Sequence, residues 1–206
     1  MIRVGLTGGY ATGKSFVATV LEQLGCHLIY ADKLGHAVLE RGGEAYRPTL
    51  AAFGPGILNP DETIDRRKLA SLVFGAPELL DKLTSFVHPA VLRLEDELTH
   101  RLQAENPHGI VVYEAAILIE TGHYRIYDRL IVTACDEETQ IARGMKRDHV
   151  TRQDVMARLA KQLPLEKKKA FADHVIETGG TKDDTIRQVR EIYGKLKQLA
   201  EGSANK

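Results

Sequence analysis

The chain has 206 residues, 43% of them hydrophobic, and its 28 basic and 28 acidic side chains cancel to a formal charge of zero. That length buries about 70% of the unfolded surface in one core without a disulfide or metal staple. The balanced charge argues against an extended nucleic-acid surface, and the sequence has no run of about 18 apolar residues to span a membrane.

In chain order, Met1 leads directly into a short apolar strand, Ile2 to Leu6, with no secretory leader ahead of it, so a cytoplasmic protein is expected. Residues Gly8 to Ser15 then read Gly-Gly-Tyr-Ala-Thr-Gly-Lys-Ser, which fits the phosphate-cradling spacing G-x-x-x-x-G-K-[ST]. Gly8 and Gly13 are expected to let the backbone curl so that amides face phosphate oxygens, while Lys14 reaches the outer phosphates and the Ser15 hydroxyl holds Mg²⁺. An amphipathic helix over Ser15 to Leu24 would add its N-terminal dipole to that anion site. A second strand is expected at His27 to Ala31, followed by a helix over Asp32 to Glu40 and a turn at Arg41-Gly42-Gly43. The strand signal then disappears. Tyr46 to Phe53, Asp65 to Phe74 and Glu78 to Ala104 read as helices, broken by Gly and Pro clusters. Strands resume at Ile110 to Tyr113 and Arg129 to Ala134. Helices are expected over Glu137 to Arg147, Arg152 to Leu163 and Leu165 to Phe171. A last strand at His174 to Ile176 and a closing helix from Lys182 to Leu199 follow, with a frayed end over 201–206. Continuous apolar strands alternating with helices predict a parallel sheet covered on both faces, with the helical stretch 42–106 inserted between the second and third strands.

Open sheets of this kind bind ligands at the carboxyl ends of their strands. The phosphate loop, Asp32, Glu114 and Thr178-Gly179-Gly180 should therefore share one edge. Asp32 is a base, a holder of Mg²⁺ through water or a helix N-cap, and Glu114 is either functional in one of the first two ways or a solvated strand-end charge. Arg143 and Arg147 lie four apart on one helix face, with Arg152 after a short connection. They are either charge neutralisers for phosphoryl transfer or surface pairs. The Lys167-Lys168-Lys169 run reads as a solvated helix face, and His88-Pro89 as a helix start or a histidine beside substrate. Cys26 and Cys135 have no ligand spacing and read as small core residues; no metal-binding spacing is present. The tetrad Asp32-Lys33-Leu34-Gly35 matches a GTPase switch pattern, but no Asn-Lys-x-Asp guanine reader accompanies it.

The order of these pieces resembles the dephospho-coenzyme A kinase family. The likeness starts with Val4-Gly5-Leu6-Thr7-Gly8-Gly9 and Gly13-Lys14-Ser15, then Tyr30-Ala31-Asp32 for the family's Asp-Ala-Asp. Ile64-Asp65-Arg66-Arg67, Leu69, Phe74 and His88-Pro89 resemble its insertion motifs, and Glu114 to Glu120 its Asp-x-Pro-Leu-Leu-x-Glu. Arg143 to Asp148, Val150-Thr151-Arg152 and Gln162 resemble its lid, and Ala172 to Ile176 with Gly180 its adenine-side loop. The resemblance implies an α/β P-loop kinase: a five-stranded parallel sheet with helices on both faces, a helical insertion and a lid. The core would cover about 1–41, 107–142 and 172–200, the acceptor-binding insertion about 42–106 and the lid about 143–171. It implies ATP and Mg²⁺, and transfer of the γ-phosphoryl to the ribose 3′-hydroxyl of dephospho-coenzyme A. Asp32 would be the base, with Lys14, Mg²⁺ on Ser15, Arg143 and Arg147 neutralising charge. Gly8, Gly9, Ala11, Thr12, Gly13, Lys14, Ser15, Phe16, Thr178 and Gly180 would line the nucleotide. Asp32, Arg66, Leu69, Phe74, His88 and Glu114 would line the acceptor. A monomer or weak homo-oligomer without nucleic-acid or membrane partners is expected. The chain departs from the pattern at Ala11 for Gly, Phe16 for a Ser- or Thr-type neighbour, Tyr30 for Asp, Glu114 for Asp, Ala116 for Pro and Thr178 for Asn. Ala11 adds a Cβ and is expected to sit at an allowed φ unless the backbone shifts. The rival readings are a nucleoside monophosphate kinase, needing a second cationic pocket, and a non-catalytic nucleotide switch.

Overall fold

The computed structural model describes residues 1–202. In chain order its elements are β1 (Ile2–Gly8), α1 (Lys14–Gln23), β2 (His27–Tyr30), α2 (Ala31–Ala37), α3 (Tyr46–Phe53), α4 (Arg66–Val73), α5 (Pro77–Glu105) and β3 (Ile110–Glu114). They are followed by β4 (Arg129–Ala134), α6 (Glu137–Asp148), α7 (Arg152–Leu159), α8 (Leu165–Lys169), β5 (His174–Glu177) and α9 (Lys182–Gly202). Short 3₁₀ turns occupy Pro55–Ile57 and His123–Ile126. The helix α9 runs through Gly202, so part of the expected frayed end is helical; 203–206 lie outside the described residues.

The strands form one parallel sheet in the order β2-β3-β1-β4-β5. β1 pairs with β3 in the register Ile2↔Ile110 to Leu6↔Glu114, and with β4 from Val4↔Arg129 to Gly8↔Thr133. From β1 the chain crosses to the edge strand β2, returns beside β1 as β3, and then continues to β4 and β5 on the other side, so the loop after β1 sits where strand order reverses, the usual ligand position in such sheets. Consecutive residues Val4 to Gly8 and Leu130 to Ala134 are buried, as strands covered on both faces require. Leu6, Ile131 and Ile176 are fully buried, and truncating any one to Ala would cost about 2–5 kcal/mol. The helix α1 buries Val17, Ala18, Val20 and Leu21, and α9 buries Val189, Ile192, Leu196 and Ala200. Both free thiols, Cys26 and Cys135, are buried, and burial pushes the Cys26 thiol up to about 12.

The chain makes two compact units: Met1–Ile29 with Leu102–Lys206, and Tyr30–Arg101. The second has its own small core, in which Ile57, Ile64 and Leu69 pack with Tyr46, Phe53 and Leu83. The helix α4 starts there because Asp65 caps it, accepting from the Arg67 and Lys68 amides at 2.9 and 3.2 Å. His88-Pro89 is not a helix start. It lies inside the 29-residue α5, where Pro89 leaves the Ser85 carbonyl without its i+4 amide. Burial of Ala90, Val91, Glu95 and Thr99 carries the helix through that break. Among the described residues no helix is long and apolar enough to cross a membrane.

Candidate active site

The phosphate loop runs from the buried end of β1 into α1. Gly8 is a glycine for a different reason than backbone curl. Its φ is not positive, but a Cβ there would stand 2.2 Å from Thr133 Oγ1 and 2.6 Å from the Thr133 carbonyl oxygen. The left-handed turn is made by Gly13, at φ 85°, and by Ala11, at φ 56°. Ala11 sits in the small left-handed region that an L residue can occupy, where its Cβ meets a steric cost of about 1–2 kcal/mol that glycine would avoid. Buried threonines hold the loop's shape. Thr12 Oγ1 lies 2.8 Å from the Gly9 carbonyl and 2.7 Å from Thr133 Oγ1, and Thr178 Oγ1 lies 2.7 Å from the Thr12 carbonyl. Lys14 Nζ donates to the Gly9 carbonyl at 3.2 Å. Among the described residues the backbone amides of Ala11, Gly13 and Ser15 have no acceptor, the condition expected of an anion site at a helix N-terminus. The Phe16 ring faces Lys182, whose Nζ is 5.7 Å from its centroid.

The expected lid arginines are fastened to this loop and its neighbours. Arg143 donates to the Thr178 carbonyl at 2.6 Å and to its Oγ1 at 3.2 Å, so it reaches the loop through Thr178. Arg147 pairs with Asp148 at 2.7 Å and lies over the Tyr10 ring, its Cζ 4.9 Å from the centroid. Arg158 flanks the same ring at 5.4 Å and donates to the Tyr10 hydroxyl at 2.8 Å. The Tyr10 hydroxyl donates to Asp148, and the Tyr10 amide donates to Gln162 Oε1 at 2.8 Å. Hydrogen bonds from the Arg147 guanidinium and then the Tyr10 hydroxyl hold the Asp148 carboxyl well below the usual carboxylate range. Arg152 does not join Arg143 and Arg147. It makes an exposed pair with Glu138 at 2.8 Å, an interaction worth little. Gly180, after β5, is exposed, and a Cβ there would stand 3.5 Å from Asp184 Oδ2.

The lysine run holds the clearest correction. Lys167 is exposed, but Lys168 is fully buried. Its Nζ contacts the Glu120 carboxylate at 2.7 Å, the Ala116 carbonyl at 2.8 Å and the Gly8 carbonyl at 3.4 Å. Nothing local in the sequence separates it from its neighbours. Glu114 is not beyond its strand but closes β3, half-buried, opposite Leu6 in the register.

In the second unit the structure bears on one of the readings of Asp32. The N-cap of α2 is Tyr30, and Asp32 lies exposed in the first turn, its carboxylate in no hydrogen bond or ion pair among the described residues. Its carboxylate is therefore not a cap. Arg66 and Arg67 are exposed and line, with His36 and Arg41, an open cleft of about 800 Å³. Leu69 is only 3% exposed. It packs on α4 in the core of its unit with Ile57 and Ile64. Phe74 is 81% exposed, and His88 is exposed on α5. Among the described residues no three His, Cys, Asp or Glu side chains gather to hold a metal. The groups that fit Mg²⁺ with a nucleotide are the exposed Ser15 hydroxyl beside the open amides and Lys14.

A five-stranded parallel sheet with a glycine-lysine-serine loop at its strand-order reversal defines a P-loop phosphotransferase. A family model described as dephospho-CoA kinase matches residues 2–184. The chain belongs to the dephospho-CoA kinase family. A dephospho-CoA kinase of Geobacter metallireducens is 42% identical over 194 residues, 94% of this chain and 96% of its own. One of Aquifex aeolicus is 37% identical over 196 residues, 95% of this chain and 98% of its own. A crystal structure from Thermus thermophilus superposes with a TM-score of 0.80 at 32% identity, covering 95% of this chain and 97% of that one. The dephospho-CoA kinase from Campylobacter jejuni gives 0.72 at 26% identity, covering 98% of each. Family membership makes the chain an ATP-dependent kinase of dephospho-CoA. The readings as a nucleoside monophosphate kinase or a non-catalytic switch are set aside.

Proposed function

We propose that the transferred phosphoryl goes to the ribose 3′-hydroxyl of dephospho-CoA and that Asp32 accepts the hydroxyl proton. The observation that carries this reading is the Asp32 carboxylate itself, exposed in the first turn after β2 and engaged neither as a cap nor as an ion-pair partner. A base must be uncommitted to take a proton, and such a role is worth about 10²- to 10⁴-fold in rate. The amides of Ala11, Gly13 and Ser15 and the Lys14 amine would bind the donor phosphates of ATP, with Gly8, Gly9, Thr12 and Phe16 shaping the loop around them. Mg²⁺ held through Ser15 would offset the charge of those phosphates. Arg143 and Arg147 would bring further positive charge to the donor. For Arg147 this requires leaving Asp148 and the Tyr10 ring. Thr178 and Gly180 would face the nucleotide base. Residues 42–106 would hold dephospho-CoA, with Arg66, Phe74, His88 and Glu114 meeting it and Leu69 shaping α4. The stretch 143–171 would act as a lid, excluding water so that ATP is spent on the acceptor. The chain would work as a monomer or weak homo-oligomer in the cytoplasm.

Two measurements test this. Phosphorus NMR and mass spectrometry of the product from dephospho-CoA and MgATP should show a new ribose 3′-phosphate; phosphorylation elsewhere overturns the regiochemistry. Asp32→Asn should fold and bind ATP as the parent does while turnover drops at least about a hundredfold. Turnover within threefold of the parent would remove Asp32 as the base.

A further inference from the structure

We propose that Lys168 is a positioning residue for phosphoryl transfer, clamping the start of the phosphate loop to the segment after β3. Its amine has three donors and three acceptors: the carbonyls of Gly8 and Ala116 and the carboxylate of Glu120. With its donors used and its side chain fully buried, it does not touch substrate. What it does is fix three pieces of backbone. Gly8 is the last residue of β1 and the first of the phosphate loop. Because the peptide is planar and trans, holding the Gly8 carbonyl toward Lys168 also fixes the direction of the Gly9 amide. Ala116 lies two residues after Glu114, and its carbonyl is shared with Thr7 Oγ1 at 3.2 Å. Glu120 also accepts from the Leu163 amide at 3.0 Å, tying in the chain between α7 and α8.

Energetics favour a positioning role over a purely stabilising one. Burying the Lys168 amine costs several kcal/mol before its attraction to Glu120, which keeps 22% of its side chain exposed, offsets it, and an apolar residue of the same volume often stabilises as well or better. A buried lysine directed at backbone carbonyls at the exits of β1 and β3 instead specifies the distance between those exits. The alignment of the donor phosphates with the Glu114 segment depends on that distance. Small misplacements at a reacting centre cost large factors in rate. They cost less in affinity where the amides and Lys14 bind phosphate locally.

The test compares Lys168→Met with the double variant Lys168→Met/Glu120→Gln, which removes the carboxylate that the first variant orphans. Steady-state kinetics with dephospho-CoA and MgATP should show kcat down at least about tenfold with the KM for ATP within about threefold of the parent. In the double variant Tm should recover and kcat should not. If kcat recovers together with Tm, if KM for ATP moves in place of kcat, or if the double variant fails to fold, Lys168 serves stability alone and the inference falls. The inference rests on the dephospho-CoA kinase activity and not on Asp32. An Asp32→Asn variant with full turnover would remove the base and leave the Lys168 result standing.

Discussion

In the sheet-bearing unit, most polar side chains bordering the phosphate loop are already engaged, while the Ala11, Gly13 and Ser15 amides stay open. Thr12, Thr133 and Thr178 bond one another or loop carbonyls, Arg143 grips Thr178, Tyr10 is held by Asp148 and Arg158, and Lys168 has three acceptors. In the helical unit Tyr30–Arg101, Asp32, Arg66 and His88 stand exposed, and Phe74 is 81% exposed. The difference shows where ordering costs are met. Around the phosphate loop the side-chain dipoles are fixed during folding, which would make them effective in charge stabilisation of a bound triphosphate. If the helical unit holds the acceptor, as proposed, exposed side chains such as Asp32, Arg66 and His88 would be ordered only on binding, at about 0.5–1.5 kcal/mol for each one immobilised.

That contrast can be broken by substitution. The largest effect belongs to Lys14→Ala. Removing one prearranged donor should lower kcat/KM for ATP about 10²- to 10³-fold, with Tm held because the lysine is half-buried at the loop surface. Unchanged ATP affinity would show that the loop does not clasp phosphate. Phe74→Ser should raise KM for dephospho-CoA about tenfold through lost apolar contact and move Tm by no more than about 1 °C, as for other surface positions. A fall of several degrees would place the ring in the fold rather than on the acceptor. Ala11→Gly sharpens the picture from the other side. Relief of the left-handed Cβ, less the entropy of glycine, should stabilise by about 0.5–1 kcal/mol and raise Tm by about 1–4 °C. A drop in Tm would mean that the Ala11 methyl packs more than it strains.

The smallest effect is a pH slope. Burial, and then the charge of Lys195, push His174 below its ordinary value. The unfolded chain therefore protonates first as pH falls through about 6.5, and stability declines over the window between that value and the depressed one. His174→Gln should shrink the Tm difference between pH 7.5 and 5.5. An identical difference in parent and variant would assign the slope to other groups.

Much of this was legible in the residues. The glycine-lysine-serine spacing located the loop, and apolar runs located all five strands to within two residues at each end. Tyr46–Phe53 and Arg129–Ala134 came out with the expected ends. The misreadings share a physical origin in long-range packing. Gly8 is dictated by its neighbour across the sheet, Thr133, which no local pattern encodes. The expected helix Glu78 to Ala104 already runs through Pro89, as α5 does; only the alternative of a helix start there fails, because burial of the next turns carries the helix past it. The helix α7 stops at Leu159 rather than Leu163, and Gln162 beyond it serves the Tyr10 amide. At Asp32 the sequence allowed a cap, and the helix instead begins one residue earlier, after Tyr30.

One further consequence comes from the Lys167-Lys168-Lys169 run. To an acylating reagent these three adjacent amines are unequal: Lys167 is exposed, Lys169 keeps 28% of its side chain open, and Lys168 offers none. Its uptake of label would begin when tertiary structure is lost, so one tryptic region holds both a reference mark and a native reporter of unfolding.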